Sequence, residues 1–163
     1  MPSPVIVGIM GPDKQLDKAG PLAEQLGKAA AEAGWMVLTG GRSRGVMHAA
    51  CTGAKSAGGT TIGIIPGDNT ADISPAVDIP IITGMGSARD NINALSSTVL
   101  VAVGMGPGTS AEVSLALKCN KHCVLLGVGD QAAAHFSALA PSLVHIAGDV
   151  GAAVTHVKSV LPA

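Results

Sequence analysis

Residues 98–118 read TVLVAVGMGPGTSAEVSLALK: an unbroken apolar run, a turn with three glycines and a proline, then a segment whose apolar residues recur at helical spacing. A strand with one wet face alternates apolar and polar residues, so the run from Val99 to Val103 implies burial on both faces. That kind of burial belongs to parallel sheets, whose crossover helices cover them. The stretch predicts the strand, turn and helix of a βαβ unit, and the rest of the chain repeats the pattern.

Strands are expected at Val5–Met10, Trp35–Thr39, Thr60–Ile65, Pro80–Thr83, Thr98–Val103, His122–Gly127 and Leu143–Ile146. Helices are expected at Asp17–Ala33, Arg44–Ala57, Ala88–Ser96, Thr109–Lys118, Gln131–Ala138 and Asp149–Leu161. The fold class is α/β, a doubly wound parallel sheet of about seven strands with helices on both faces. Pro66–Asp78 reads as a loop, and no linker, repeat or charge block divides residues 1–163, so one domain is expected.

A net charge of −1 with 13% charged residues gives no basic field for a nucleic acid or an anionic membrane, and neither partner is expected. The apolar runs are strand-length, and no basic segment followed by an apolar stretch precedes Val5, so the expectation is a soluble cytoplasmic protein. Three cysteines, an odd number, fit free thiols in a reducing compartment. With one Trp, one Phe and no Tyr, a flat ligand must be gripped largely without aromatic stacking.

Gly-rich turns follow four of the strands: Gly11, with Gly8 inside the strand before it, Gly40 and Gly41, Gly84 and Gly86, and Gly104, Gly106 and Gly108. In an open parallel sheet the strand carboxyl ends form the edge where ligands bind, so these loops converge on one crevice. In GMGPGTSAEV the glycines permit close backbone approach, Pro107 stiffens the turn, and Thr109 or Ser110 is placed to cap a helix whose free N–H groups face an oxyanion. A tight turn with no ligand is the alternative. Glu112, in the expected first turn, either closes a capping box to Thr109 or orients a ligand group.

In LTGGRSRGVMHAA, Gly40, Gly41 and Gly45 bracket Arg42, Ser43 and Arg44 at a helix start, where guanidiniums suit phosphate or another oxyanion; Met47 either faces the crevice or packs in the core. GMGSARDNINAL adds Arg89, Asp90, Asn91 and Asn93 in two turns, with Ser87 placed to cap them; a structural ion pair of Arg89 is the alternative there. GIMGPDKQLDKAG, with Gly11, lacks the dinucleotide fingerprint, and no P-loop motif occurs. Cys119, His122 and Cys123 have no second ligand cluster, and no G-x-S-x-G turn carries a nucleophile, so neither a metal site nor a Ser-His-Asp triad is expected.

TGGRSRGVM followed by Gly106, Gly108, Thr109 and Glu112 in a G-x-G-T-x-x-E pattern resembles the Rossmann-like superfamily of lysine-decarboxylase-like proteins and cytokinin-activating nucleoside monophosphate phosphoribohydrolases. Over nearly its whole length, through TGGRSRGVMHAACTGAKSAGGTTIGIIPG and DIPIITGMGSARDNINALSSTVLVAVGMGPGTSAEVSLALK, the chain is similar to the molybdenum cofactor carrier branch. The hydrolase signatures are G-G-G-x-x-G-L-M-G and P-G-G-x-G-T-x-x-E. Arg42 replaces the third glycine of the first, His48 replaces the glycine after Met47, and Gly104-Met105 replaces the Pro-Gly of the second. The hydrolase catalytic pair would map onto Glu112 and Arg89.

The resemblance implies a non-catalytic homo-oligomer, a tetramer, that binds molybdenum cofactor (molybdopterin), shields it and passes it to molybdoenzymes by transient contact. Phosphate or molybdate are the simple oxyanions such a site would take. The residues expected to hold the cargo are Gly11, Gly40, Gly41, Arg42, Ser43, Gly45, Met47, Arg89, Asp90, Asn91, Gly106, Pro107, Gly108, Thr109, Ser110 and Glu112. The alternative is hydrolysis of a nucleoside monophosphate at its N-glycosidic bond.

Overall fold

The central strand β5 (Val99–Val103) is buried at every residue and pairs in parallel with a neighbour on each side, as its unbroken apolar run requires. The computed structural model describes residues 3–14 and 16–161. Around β5 lie β1 (Ile6–Met10), β2 (Met36–Thr39), β3 (Thr61–Ile65), β4 (Ile79–Ile82), β6 (Cys123–Leu126) and β7 (Val144–Ala147). All pairings are parallel, and the order across the sheet is β4-β3-β2-β1-β5-β6-β7. The chain walks outward from β1 to β4, then returns to the other side of β1 to start β5. The strand order therefore reverses between β1 and β5, and a crevice opens at their carboxyl ends.

The helices are α1 (Leu16–Glu32), α2 (Gly45–Ser56), α3 (Asp90–Ser96), α4 (Pro107–Lys118), α5 (Asp130–Leu139) and α6 (Val150–Val160). Because strand side chains alternate, β5 feeds two cores. Val99, Val101 and Val103 join Val7, Ile9, Val37 and residues of α1, α2 and α6; Leu100 and Ala102 join Met10, Leu38, Ile64 and residues of α3, α4 and α5. The α1–α2 pair packs backbone to backbone: a methyl at Gly53 would run into the Glu24 carbonyl oxygen, and one at Gly27 into that of Ala50.

The strand and helix limits agree with the sequence reading to within a residue or two, apart from two corrections next to the crevice. The helix expected at Ala88–Ser96 is split into a 3₁₀ turn (Gly86–Arg89) and α3. Ser87, inside that turn, caps nothing with its side chain. Helix α4 starts at Pro107, two residues before the expected Thr109, with Gly106 in the extended cap position. Proline fits the first helical position because its missing N–H would have had no partner there. At the β7–α6 turn Asp149 is a side-chain cap, accepting from the Ala152 N–H at 2.8 Å. No helix among the described residues is long and apolar enough to cross a membrane.

Candidate functional site

Loops from five strand ends enclose a cleft of about 460 Å³ over the β1–β5 switch point. Met10, Gly11, Pro12 and Asp13 come from the end of β1; Gly40, Arg42 and Met47 follow β2; Pro66 follows β3; Gly86, Ser87, Arg89 and Asp90 follow β4; Gly106, Pro107, Gly108, Thr109 and Glu112 follow β5. Its size is that of a small-molecule site.

Arg89 closes the 3₁₀ turn and reaches inward, its Nη1 donating to the Ile64 carbonyl at 3.0 Å. Its guanidinium lies where a side chain on Gly40 would go, since a Cβ there would collide with Nη1. Arg89 is nearly buried, at 9% exposure, and burial pulls its pKa below the usual arginine value. Its Nε stands 3.3 Å from Asp90 Oδ1 but out of line for a hydrogen bond, so the two form an ion pair and Nε keeps an unused donor. Burial raises the Asp90 pKa, against the pull of Arg89.

Glu112 is 7% exposed and accepts from Asn93 Nδ2 at 2.8 Å. Burial pushes its carboxyl from the ordinary 4.5 up to about 7; the Asn93 bond and the Arg89 charge oppose the shift, while the Asp90 charge adds to it. Near neutrality this group is both a donor and an acceptor. Beside it, Asn93 Oδ1 and the Thr109 hydroxyl are buried without a partner among the described residues. Buried polar atoms left unpaired are costly, so two of them on cleft-lining residues, Arg89 Nε and Thr109 Oγ1, mark a place suited to a polar ligand.

The structure corrects the local reading of Thr109, Ser110 and Glu112. With α4 starting at Pro107, no side chain caps it, and Glu112 lies past the first turn, bonded to Asn93 rather than closing a capping box. The Ser110 N–H bonds the Gly106 carbonyl at 2.8 Å. Pro107 has no N–H, so the amides of Gly108 and Thr109 are the ones left over at the cleft wall.

Of the residues expected from sequence, Gly11, Gly40, Arg42, Met47, Arg89, Asp90, Gly106, Pro107, Gly108, Thr109 and Glu112 line the cleft. Gly41, Ser43, Gly45, Asn91 and Ser110 do not. Gly41 (φ 75°) packs against β3, where a Cβ would meet Gly63 and Ile65. Gly45 (φ 63°) lies over Pro12 and Asp13. Ser43 gives its N–H to the Asp72 carbonyl at 2.9 Å, and Asn91 is exposed on the outer side of α3. Arg44 is also drawn elsewhere, to Asp72.

Met10, Pro12, Asp13, Pro66, Gly86 and Ser87 also line the cleft, although the motifs do not point to them as ligand contacts. Their common signal is position, at or within a few residues of a strand's carboxyl end; only Gly86 stands out by residue type.

The profile of the SLOG cluster4 family matches residues 4–155. The molybdenum cofactor binding protein from the phototrophic bacterium Rippkaea orientalis is 46% identical and superposes with a TM-score of 0.95, covering 98% of this chain and 99% of that one. The molybdenum cofactor carrier protein from Chlamydomonas reinhardtii is 57% identical with a TM-score of 0.92, covering 96% and 98%. An uncharacterized protein of Archaeoglobus fulgidus is 37% identical over 121 residues, 74% of this chain and 78% of its own length.

Proposed function

The chain belongs to the SLOG cluster4 family, and on that footing we propose that it is a carrier: it binds, stores and protects molybdenum cofactor and gives it up to molybdoenzymes. The cargo is a reduced pterin with a terminal phosphate and a dithiolene-bound molybdenum oxo group, so it needs oxyanion binders at its ends and hydrogen-bonding groups between. Arg42 and the amides of Gly108 and Thr109 serve the first need. Arg89, Asp90 and Glu112 serve the second, meeting the donor and acceptor edges of the pterin, and Met10 and Met47 give the apolar floor. With one Trp and one Phe in the chain, the grip depends on these polar contacts rather than on stacking.

The observation that carries the reading is the pair of buried polar atoms without a partner among the described residues, Arg89 Nε and Thr109 Oγ1, on residues that line a strand-end cleft. Similarity to carrier proteins at 46% and 57% identity supports it. The protein does no covalent chemistry in this reading. It acts in the cytoplasm as a homo-oligomer, a tetramer, which accounts for the apolar edge strand β4, whose Ile79, Ile81 and Ile82 are 46%, 44% and 39% exposed.

A second reading is favoured by one feature, the buried Glu112 beside Arg89, a pairing suited to nucleoside monophosphate hydrolysis. Titrating the protein with isolated cofactor and incubating it with AMP distinguishes the two. Saturable cofactor binding with no free adenine supports the carrier. Release of adenine that is lost in Glu112→Ala overturns it.

A further inference from the structure

The loop after β3 crosses back over the turn after β2 and is stitched to it. Arg42 and Ile73 form an antiparallel bridge, with Ser43 N–H donating to the Asp72 carbonyl and Ser74 N–H to the Gly41 carbonyl, both at 2.9 Å. Ser74 Oγ and His48 Nδ1, 2.8 Å apart, add a side-chain tie to α2. The crossing puts one carboxylate between two guanidiniums. Asp72 Oδ2 accepts from Arg42 Nε at 2.8 Å and from Arg44 Nη2 at 2.7 Å. Those two bonds, Arg42's the larger influence, hold the Asp72 carboxyl below the usual carboxylate range.

The two arginines are not equivalent. Arg42 lines the cleft; Arg44 is more exposed and does not. The bond to Asp72 uses only Nε of Arg42, and its two Nη groups have no partner among the described residues. A guanidinium held by Nε keeps its forked Nη edge free, the geometry that takes an oxyanion in two parallel bonds. A lone Asp72 would cancel the Arg42 charge. With Arg44 on the same oxygen, the trio carries one net positive charge, and Arg42 is the member placed to deliver it.

We propose that Asp72 and Arg44 are positioning residues for Arg42: Asp72 fixes its orientation through Nε, and Arg44 offsets the Asp72 charge so that Arg42 presents a charged two-donor fork to an oxyanion in the cleft. The inference deepens the carrier reading by assigning one oxyanion end of the cargo to Arg42 and its strength to a residue outside the cleft. It rests on that reading only for the cargo's name; the chemistry is that of any phosphate-sized oxyanion.

Inorganic phosphate and molybdate are the probes, with affinity followed by calorimetry at fixed low salt in wild type, Arg44→Gln, Asp72→Asn and the Arg44→Gln/Asp72→Asn double variant. Removing Arg44 leaves Asp72 to neutralise Arg42, and affinity is expected to fall by on the order of threefold or more. The double variant removes both charges while the amide oxygen introduced by Asp72→Asn still accepts from Arg42 Nε, so affinity is expected to recover towards wild type. A purely structural role for Arg44 predicts no such rescue. Unchanged affinity in Arg44→Gln, a double variant no better than Arg44→Gln, or no oxyanion binding by the wild type each overturns the proposal. Circular dichroism and Tm of each variant separate loss of fold from loss of the fork. Failure here with cofactor still bound would leave the carrier reading standing; oxyanion binding with rescue but no affinity for cofactor would do the reverse.

Discussion

At the scale of single residues, Glu112 couples the cleft to pH. Its folded-state pKa, about 7, lies above its ordinary 4.5, so the folded protein holds a proton that the unfolded chain has released. The contribution of this group to stability is therefore complete below about 4.5, is lost as pH rises through 7, and is level above. Glu112→Gln removes the dependence: at pH 8 the variant is expected to melt higher than wild type, by up to about 3 kcal/mol of stability, and at pH 4 to match it. Equal Tm differences at both pH values would refute the buried, protonated carboxyl. Gly40→Ala is the complementary test, since its methyl competes with Arg89 Nη1 and Met47 Sδ. A loss of about 1–3 kcal/mol in urea unfolding, with weakened ligand binding, is expected. Residue types at both positions were readable from the motifs; the burial of Glu112 was not, because it depends on α3 packing against α4.

Among the elements, strand identity was the most legible feature. β5 betrays itself by an apolar run that only a central parallel strand tolerates, whereas β4, also apolar, sits at the edge with its side chains exposed. Its position depends on chain order, not on composition. Helix starts were less legible: capping rules point to Thr109 or Ser110, but Pro107 after an extended Gly106 starts α4 earlier and leaves its first turn without a side-chain cap. That uncapped turn predicts anion-dependent stability. Millimolar phosphate or molybdate is expected to raise Tm, as any ligand of the native state does, by about 3 kcal/mol of stability at a hundredfold excess over Kd. A Tm indifferent to both anions would remove the oxyanion cradle. In the α1–α2 pair, Gly53→Ala forces a methyl against the Glu24 carbonyl, and calorimetric unfolding is expected to show a loss of roughly 2 kcal/mol.

For the whole molecule, the doubly wound topology brings residues as far apart as Pro12 and Glu112 to one cleft, and the rule that ligands bind at the strand carboxyl ends made that convergence visible beforehand. The strap that ties Asp72 to Arg42 and Arg44 was not visible, since the segment carrying it has no periodic pattern. The exposed isoleucines of β4 lead to a test of the proposed oligomer at this scale: wild type is expected to scatter light with the mass of several protomers and Ile81→Lys with a mass closer to one, and a wild type with the mass of one protomer would contradict the proposal. The carrier assignment is tested most directly by purifying the protein from a host that overproduces molybdenum cofactor, oxidising it, and measuring pterin fluorescence per protomer. Pterin approaching one per chain is expected, reduced several-fold in Arg42→Ala, and protein without pterin would contradict the carrier function.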